Sequence, residues 1–163
     1  PEALRLTVNE NLAFVAVIPE STVSTDAARK ALPAAVPMAD ATFNIAAVAG
    51  LVHTLTLGRL DEIGPCLADR LHEPYRASQV PGLAALRAIA DGERILGSTI
   101  SGSGPTSLVW CAADALGEAQ DDVAALLERE GIPARARASR ISSTGVRARW
   151  TTADSTRLER SIG

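Results

Sequence analysis

Apolar residues along the chain fall either into short continuous runs or into positions with helical spacing. The run at 12–18 is almost entirely apolar and ends at Pro19, which predicts a buried strand. Two more apolar runs, at 95–100 and 108–111, predict strands joined by a short loop. Segments 134–141 and 146–150 predict the final strands; the three arginines of the first (Arg135, Arg137 and Arg140) make it an edge or half-exposed strand.

Helical patterns fill the region between the first two strands. Residues 24–32 predict a short helix that Ser24 or Thr25 caps and Pro33 ends. A long helix is expected from a cap at Asp40 to Leu57, closed by Gly58, and its two apolar stripes predict burial on most sides.

The helical spacing continues beyond Gly58. An amphipathic helix is expected at 60–71, followed by a loop at 72–80 and a helix with Pro81 in its first turn. After the third strand, Asp114 is the expected cap of a helix that ends at 131–133. This order of elements predicts an α+β fold, an antiparallel sheet with helices packed on one face.

Composition narrows the class of protein. The chain has 163 residues, enough for one domain or a substantial part of a larger protein. Its net charge is −3, and no basic stripe is interleaved with aromatic residues, so nucleic acid is not an expected partner. Cys66 and Cys111 are isolated, which argues against a zinc site or disulfide framework and favours buried thiols in a reducing cytosol.

Membrane and metal sites are also not expected. The apolar stretch 45–57 is interrupted and looks too short to span a bilayer, and the start lacks the pattern of a signal peptide. We therefore expect a cytoplasmic protein. His53 and His72 lack a partner at metal-ligand spacing. His53 is expected to be a packed core histidine, and His72 a loop anchor or, less readily, a residue that faces a ligand.

The glycine-rich loop at 101–106 is the strongest candidate for chemistry. Its backbone N–H groups could converge on a phosphate, or the loop could be an ordinary hairpin turn. It matches neither a P-loop nor a dinucleotide-binding fingerprint. Arg29, on one helix face with Thr25, and Arg76 could form a fork for a carboxylate or phosphate, or each could be a solvated surface residue.

Four segments resemble a known family in order and spacing. They are Val23-Ser24-Thr25-Asp26-Ala27-Ala28-Arg29-Lys30-Ala31-Leu32-Pro33, Asp40-Ala41-Thr42-Phe43-Asn44, Leu71-His72-Glu73-Pro74-Tyr75-Arg76 with Val80-Pro81-Gly82, and Ser101-Gly102-Ser103-Gly104-Pro105-Thr106. Together they resemble the homoserine kinases, which belong to the superfamily of galactokinase, mevalonate kinase and phosphomevalonate kinase. The glycine loop is general to the superfamily, whereas the first and third segments are more specific.

The resemblance implies that this chain is the C-terminal part of such an enzyme, with the superfamily's ferredoxin-like C-terminal domain. Residues 1–150 would be that part, with 1–20 a strand completing the upstream region and 21–150 the C-terminal domain; 151–163 would be a mobile tail. The family's phosphate-binding loop and two acidic residues, one of them associated with magnesium, have no match here. ATP and Mg would therefore be bound mainly by the upstream half.

The resemblance also implies roles for individual residues. Thr25, Arg29 and Arg76 match positions that hold L-homoserine, the arginines pairing with its carboxylate. The third superfamily motif, which packs against the nucleotide phosphate loop, matches Gly102, Ser103, Gly104, Pro105 and Thr106. The implied reaction is transfer of the ATP γ-phosphoryl group to L-homoserine, giving O-phospho-L-homoserine on the way to threonine. No catalytic residue is assigned within this chain, and a chain lacking the upstream half is expected to be inactive.

Two other functions stay open at this point. One is a sister kinase of the same superfamily that acts on another alcohol, and the other is a non-catalytic amino-acid-binding module. Neither nucleic acid nor a membrane is an expected partner, and a homodimer is among the oligomeric states left open.

Overall fold

A four-stranded antiparallel sheet with strand order β2-β3-β1-β4 organises the chain. The structure is a computed structural model that describes residues 9–142. The strands are β1 (Leu12–Pro19), β2 (Ile95–Ile100), β3 (Ser107–Ala112) and β4 (Ala134–Arg140). The first strand lies in the middle of the sheet, since Val15 pairs with Val109 of β3 on one side and Ala138 of β4 on the other. The predicted α+β class and antiparallel sheet are confirmed.

Six α-helices accompany the sheet in the described residues. They are α1 (Thr25–Lys30), α2 (Met38–Leu57), α3 (Ile63–Cys66), α4 (Glu73–Arg76), α5 (Leu83–Ala88) and α6 (Leu116–Arg129). Short 3₁₀ turns lie at Leu60–Glu62, ahead of α3, and at Ala77–Gln79, after α4. The expected first helix and the strand at 134–141 are thus confirmed. The strand expected at 146–150 and the tail 151–163 lie outside the described residues.

The main core lies between one face of the sheet and helices α5 and α6. Val15 and Val109 of the central strands pack there with Leu86 of α5 and with Val123 and Leu126 of α6. All five are at most 2% exposed. Burying each such side chain contributes roughly 1.5–3 kcal/mol, so this cluster is a large part of what holds the sheet to its helices.

Part of the opposite face carries a second, smaller core. Leu12 and Leu96 of the sheet pack there with Ile63 of α3, and Leu51 of α2 lies against them. Close approach explains a glycine here: a Cβ on Gly97 would come within 2.8 Å of the Leu67 side chain. The helices that follow β1 in the chain therefore add a partial layer, which the expected arrangement of helices on one face did not include.

The prediction that the long helix is buried on most sides is wrong. Thr54 is the one buried residue of α2, whereas Ile45 is 72% and Val48 56% exposed. Apolar spacing shows which positions are hydrophobic but not how many neighbours the fold supplies, and in the described residues α2 is covered on one side only. By length and composition alone, this 20-residue helix could cross a membrane, contrary to the expectation from residues 45–57.

The boundaries of α2 also differ from the prediction. The helix begins at Met38, and its N-cap is Pro37; Asp40, the expected cap, lies within the first turn. Gly58 closes the helix as predicted, with a left-handed φ of 71°.

The single amphipathic helix expected at 60–71 is broken into two short pieces. Gly64 and Pro65 lie inside α3, and both residues weaken a helix. Beyond it, the Asp69 carboxylate accepts the backbone N–H groups of Leu71, His72 and Glu73, which gives these amides an alternative to helical bonds. The expected loop at 72–80 instead contains α4 and a 3₁₀ turn.

Two helix starts lie slightly downstream of their predicted positions. The N-cap of α5 is Gly82, so Pro81 precedes the helix rather than lying in its first turn. The N-cap of α6 is Ala115 and makes no side-chain capping bond; the expected cap, Asp114, lies one residue earlier. Both errors are local and leave the order of elements unchanged.

Candidate functional site

Arg76, at the end of α4, brings the candidate segments together. Its side chain is buried, with 9% of the residue exposed. Its Nε donates to the backbone oxygen of Ala28 in α1 at 3.0 Å, and Nη1 donates to that of Gly102 in the glycine loop at 3.2 Å. One guanidinium group therefore links two segments that are far apart in the sequence.

The Ala28 carbonyl is a natural acceptor because of where it lies in α1. The helix starts at the Ser24 N-cap, whose Oγ accepts the Ala27 N–H at 3.0 Å. It ends at Lys30, so Ala28 belongs to the last turn, where carbonyls lack a helical donor. A cation at this end is also favoured by the helix dipole. Arg76 therefore caps α1 from another part of the chain.

The glycine-rich loop is the turn of the β2–β3 hairpin. The Ser101 N–H donates to Thr106 O at 2.8 Å, and the Gly104 N–H donates to Ser101 O at 3.0 Å. Gly102 and Gly104 have left-handed φ values of 59° and 79°, which glycine adopts at little cost. The N–H groups of Gly102 and Ser103 make no hydrogen bond to a residue in the described part of the chain. The loop is thus a hairpin turn that still has backbone donors for a ligand.

Glu73, at the start of α4, holds the strand that leads into this loop. It is 2% exposed, and its Oε1 accepts the Ile100 N–H at 2.6 Å. The other carboxylate oxygen pairs with Arg87 of α5, a half-exposed side chain. A buried carboxylate needs such partners, since an unpaired charge is costly away from water. The sequence pattern did not single out Glu73.

Asp69 organises the segment just before α4. Its Oδ1 accepts the backbone N–H groups of Leu71, His72 and Glu73 at 2.7–3.1 Å. Oδ2 accepts Asn44 Nδ2 at 3.1 Å and lies 3.2 Å from His72 Nε2. Partial burial opposes ionisation, but the backbone donors and the charge of His72 outweigh it, so the pKa of Asp69 lies below its ordinary value.

A cleft of about 210 Å³ opens beside this segment. It lies between α2, the turn before α4 and the sheet, and Asn44, Asp69, His72, Thr99 and Trp110 are among its lining residues. Trp110 Nε1 donates to Thr99 Oγ1 at 3.0 Å, which fixes the indole on the sheet side. The cleft combines polar groups with an apolar wall.

The remaining predicted site residues lie on α1 and in the glycine loop. Arg29 is exposed on α1, one residue after the carbonyl that Arg76 binds, and its side chain has no ion pair or hydrogen bond with a described residue. Thr25 is the first residue of α1. Ser103, Pro105 and Thr106 are half-buried in the loop. The structure therefore places α1, Arg76 and the loop side by side, and the convergence of the Arg29 and Arg76 guanidinium groups on one ligand stays a prediction.

Two expectations about histidines meet different outcomes. His53 is exposed, so the prediction of a core histidine is wrong, because it lies on the uncovered side of α2. His72 pairs with Asp69 and anchors its segment as expected, and its Nδ1 is buried without a partner among the described residues. Within residues 9–142, no group of three His, Cys, Asp or Glu side chains could hold a metal ion.

The cysteines are both free. Cys111 is buried as expected, and this burial raises the pKa of its thiol to about 11 although Arg140 opposes the shift. Cys66 is half-buried.

Comparisons with known proteins agree on one family. The profile described as "GHMP kinases C terminal" matches residues 47–142. The homoserine kinase of Moorella thermoacetica is 43% identical over 107 residues, which cover 66% of this chain and 36% of that protein. The homoserine kinase of Synechococcus sp. (strain ATCC 27144) is 35% identical over 131 residues, covering 80% of this chain and 43% of that protein.

A solved structure gives the same answer for the fold. The crystal structure of homoserine kinase from Cytophaga hutchinsonii matches with a TM-score of 0.75 and 27% identity, covering 83% of this chain and 44% of that one. The chain thus spans less than half the length of the relatives it matches. From its fold, its glycine loop and these matches, the chain belongs to the GHMP kinase family and corresponds to the C-terminal part of those enzymes.

Proposed function

We propose that the protein containing this chain transfers the γ-phosphoryl group of ATP to the hydroxyl of L-homoserine, forming O-phospho-L-homoserine for threonine synthesis. The chain would supply the C-terminal, substrate-binding part. The observation that carries the proposal is the convergence of α1, Arg76 and the glycine loop through two hydrogen bonds of one guanidinium group. Relatives named homoserine kinase support the choice of acceptor.

The carboxylate of homoserine would be held between Arg29 and Arg76. Arg76 uses Nε and one Nη1 hydrogen on backbone carbonyls, so its remaining Nη donors are free to bind a carboxylate. Arg29 has its full set of donors and lies at the solvent-exposed end of α1. Thr25, at the other end of α1, would contact the same ligand.

The glycine loop would lie against the phosphates of ATP. Its unpaired N–H groups at Gly102 and Ser103 suit an anionic oxygen, and phosphoryl transfer depends mainly on positioning and on stabilising charge. Mg²⁺ would be held mainly by the upstream half, because the acidic residue that the family associates with magnesium has no match in this sequence. We therefore expect the 163-residue chain by itself to be inactive. The complete enzyme is expected in the cytoplasm.

The test is a coupled assay of the complete protein with ATP, Mg²⁺ and a panel of acceptors. We expect ADP formation with L-homoserine at a kcat/KM well above that with galactose, mevalonate or phosphomevalonate, and no ADP formation by residues 1–163 alone. Preference for another acceptor of the panel would indicate a sister kinase. Homoserine binding in calorimetry without turnover of any acceptor would indicate an amino-acid-binding module.

A further inference from the structure

Glu73 makes contacts that the proposed substrate-binding residues do not explain. It is buried in a short helix, three residues before Arg76, yet its carboxylate is directed at β2 and α5 rather than at a ligand. Its Oε1 accepts the N–H of Ile100, the residue immediately before the glycine loop. Contact with a ligand therefore does not account for a charged group buried at this point.

The position of Ile100 in the hairpin supplies the reason. Among the strands that the structure describes, β2 lies at the edge of the sheet beside β3, and Ile100 faces Ser107 in the register. The next residue, Ser101, donates its N–H across the hairpin to Thr106 O, and in an antiparallel pair such bonds alternate with N–H groups that point away. The Ile100 N–H therefore points to the open edge, where the protein must provide an acceptor.

A single turn of helix thus holds the glycine loop at two places. Glu73 binds the N–H of Ile100 ahead of the loop, and Arg76 binds the carbonyl of Gly102 inside it. The Glu73 N–H is in turn held by Asp69 at 3.1 Å, and its second carboxylate oxygen by Arg87. The loop is attached to the segment that carries the proposed carboxylate-binding arginine.

We propose that Glu73 is a positioning residue for phosphoryl transfer, which fixes the glycine loop against the nucleotide by holding the Ile100 N–H. This inference rests on the proposed function. Arg87, whose side chain is 43% exposed, neutralises the carboxylate, so removing both charges together leaves no buried charge unpaired. The acceptor oxygen is the essential feature, and the negative charge is not.

The test compares two double variants of the complete enzyme, one with and one without an acceptor oxygen at position 73. Arg87→Ala removes the cation, and in this background Glu73→Gln retains an oxygen for the Ile100 N–H, whereas Glu73→Met keeps similar volume without an oxygen. Glu118→Ala is the matched control, because it removes an exposed carboxylate from another arginine pair. The readouts are kcat/KM for ATP, KM for homoserine and amide exchange at 100–106.

We expect Glu73→Gln/Arg87→Ala, which removes both charges together, to keep kcat/KM for ATP within about threefold of the wild type, as Glu118→Ala does. Glu73→Met/Arg87→Ala should lose at least about tenfold, the factor for one hydrogen bond of about 1.4 kcal/mol, with faster amide exchange at 100–106. The KM for homoserine should change less. Equal kcat/KM for ATP in the two double variants would overturn the proposal.

Wild-type exchange provides a second measurement if the methionine variant does not fold. The Ile100 amide should be protected although it points to a sheet edge, and rapid exchange there would refute the proposal by itself. A wild type that turns over no homoserine would refute the proposed function, and amide exchange at 100–106 in the variants would still test the placement of the loop.

Discussion

Replacing Arg76 with alanine should cost stability as well as substrate affinity. The change removes two charge-assisted hydrogen bonds to backbone carbonyls, those of Ala28 and Gly102. Ala28 is fully buried, so its carbonyl is poorly placed to find water, while Gly102 is exposed and can be rehydrated. Arg29→Ala is the matched control, because Arg29 is exposed and its side chain has no hydrogen bond or ion pair with a described residue.

The magnitude follows from these two environments. A hydrogen bond to a charged group is worth about 1.5–3 kcal/mol where its loss leaves a buried partner unsatisfied, and about 0.5–1 kcal/mol where water replaces it. The sum is a loss of about 2–4 kcal/mol for Arg76→Ala, a large share of a typical stability of about 5–15 kcal/mol. With a urea m value of about 2 kcal/mol/M, the unfolding midpoint should fall by about 1–2 M. Arg29→Ala should leave it unchanged.

The assay is urea unfolding of the two variants and the wild type, paired with the homoserine KM of each. Both substitutions should raise KM strongly, but only Arg76→Ala should lower the midpoint. Arg76→Lys should recover part of the stability, because an ammonium keeps the charge but lacks the planar fork that reaches both carbonyls. An Arg76→Ala midpoint equal to that of the wild type would refute the structural role, and an unchanged KM in both alanine variants would refute the carboxylate fork.

Three further predictions concern other groups of the described chain. The pKa of Asp69 is lowered in the folded state, so its contribution to stability is present above about pH 4 and is lost as the pH falls further. Asp69→Asn should therefore flatten the pH dependence of the unfolding free energy between about pH 2 and 5, and an unchanged slope would contradict this. Gly104→Ala should destabilise more than Gly102→Ala in thermal unfolding, because both positions have left-handed φ but only the Cβ at Gly104 would lie 3.3 Å from Ile100 and Val80 side chains; equal losses would count against it. With a pKa of about 11, Cys111 should react with iodoacetamide at pH 8 far more slowly than the half-buried Cys66, as peptide mass mapping over time would show; equal rates would contradict the burial of Cys111.

Local patterns were sufficient to predict most of the sheet. The segments that became β1 and β3 are short and largely apolar, and the segment that became β2 begins and ends with apolar residues. Each has a turn marked by Pro or Gly at one end, so each carries its own signal. The arginines of β4 correctly indicated a half-exposed strand at the sheet edge: Arg135 and Arg137 are exposed and the alanines between and beside them are half-buried. These features depend on a few neighbouring residues, which a sequence records directly.

The errors in the helices have a different cause. The burial of α2 depends on how many other segments pack against it, and helical spacing does not report that number. Ile45 and Val48 are therefore exposed although their side chains are apolar. The helix expected at 60–71 is interrupted because Gly64 and Pro65 weaken it, and because the Asp69 side chain accepts backbone N–H groups at its expected end. Periodicity reports side-chain polarity and is insensitive to that competition.

Sequence reasoning identified residues of the candidate site but not the contacts that these residues make. Arg76 was identified from the segment it lies in, yet both of its observed acceptors are backbone carbonyls, which have no residue-type signature. The same holds for Glu73, whose partner is a backbone N–H 27 positions away. In the sequence, Glu73 is simply an acidic residue beside Pro74, and nothing there indicates that it is buried.

These backbone partners also explain how two binding elements could act together. Arg76 is bonded to α1 and to the glycine loop at once, so the loop cannot move far from its place without breaking the bond to Gly102 or pulling on the bond to Ala28. Arg29 follows Ala28 directly in α1. In the proposed enzyme, a nucleotide that orders the loop would therefore also order the arginines that hold the acceptor, and the reverse would hold by thermodynamic linkage. This coupling predicts that ATP and homoserine increase each other's affinity in the wild type and that Arg76→Ala abolishes the increase. Arg29→Ala should instead weaken homoserine binding and leave ATP binding unaltered when homoserine is absent.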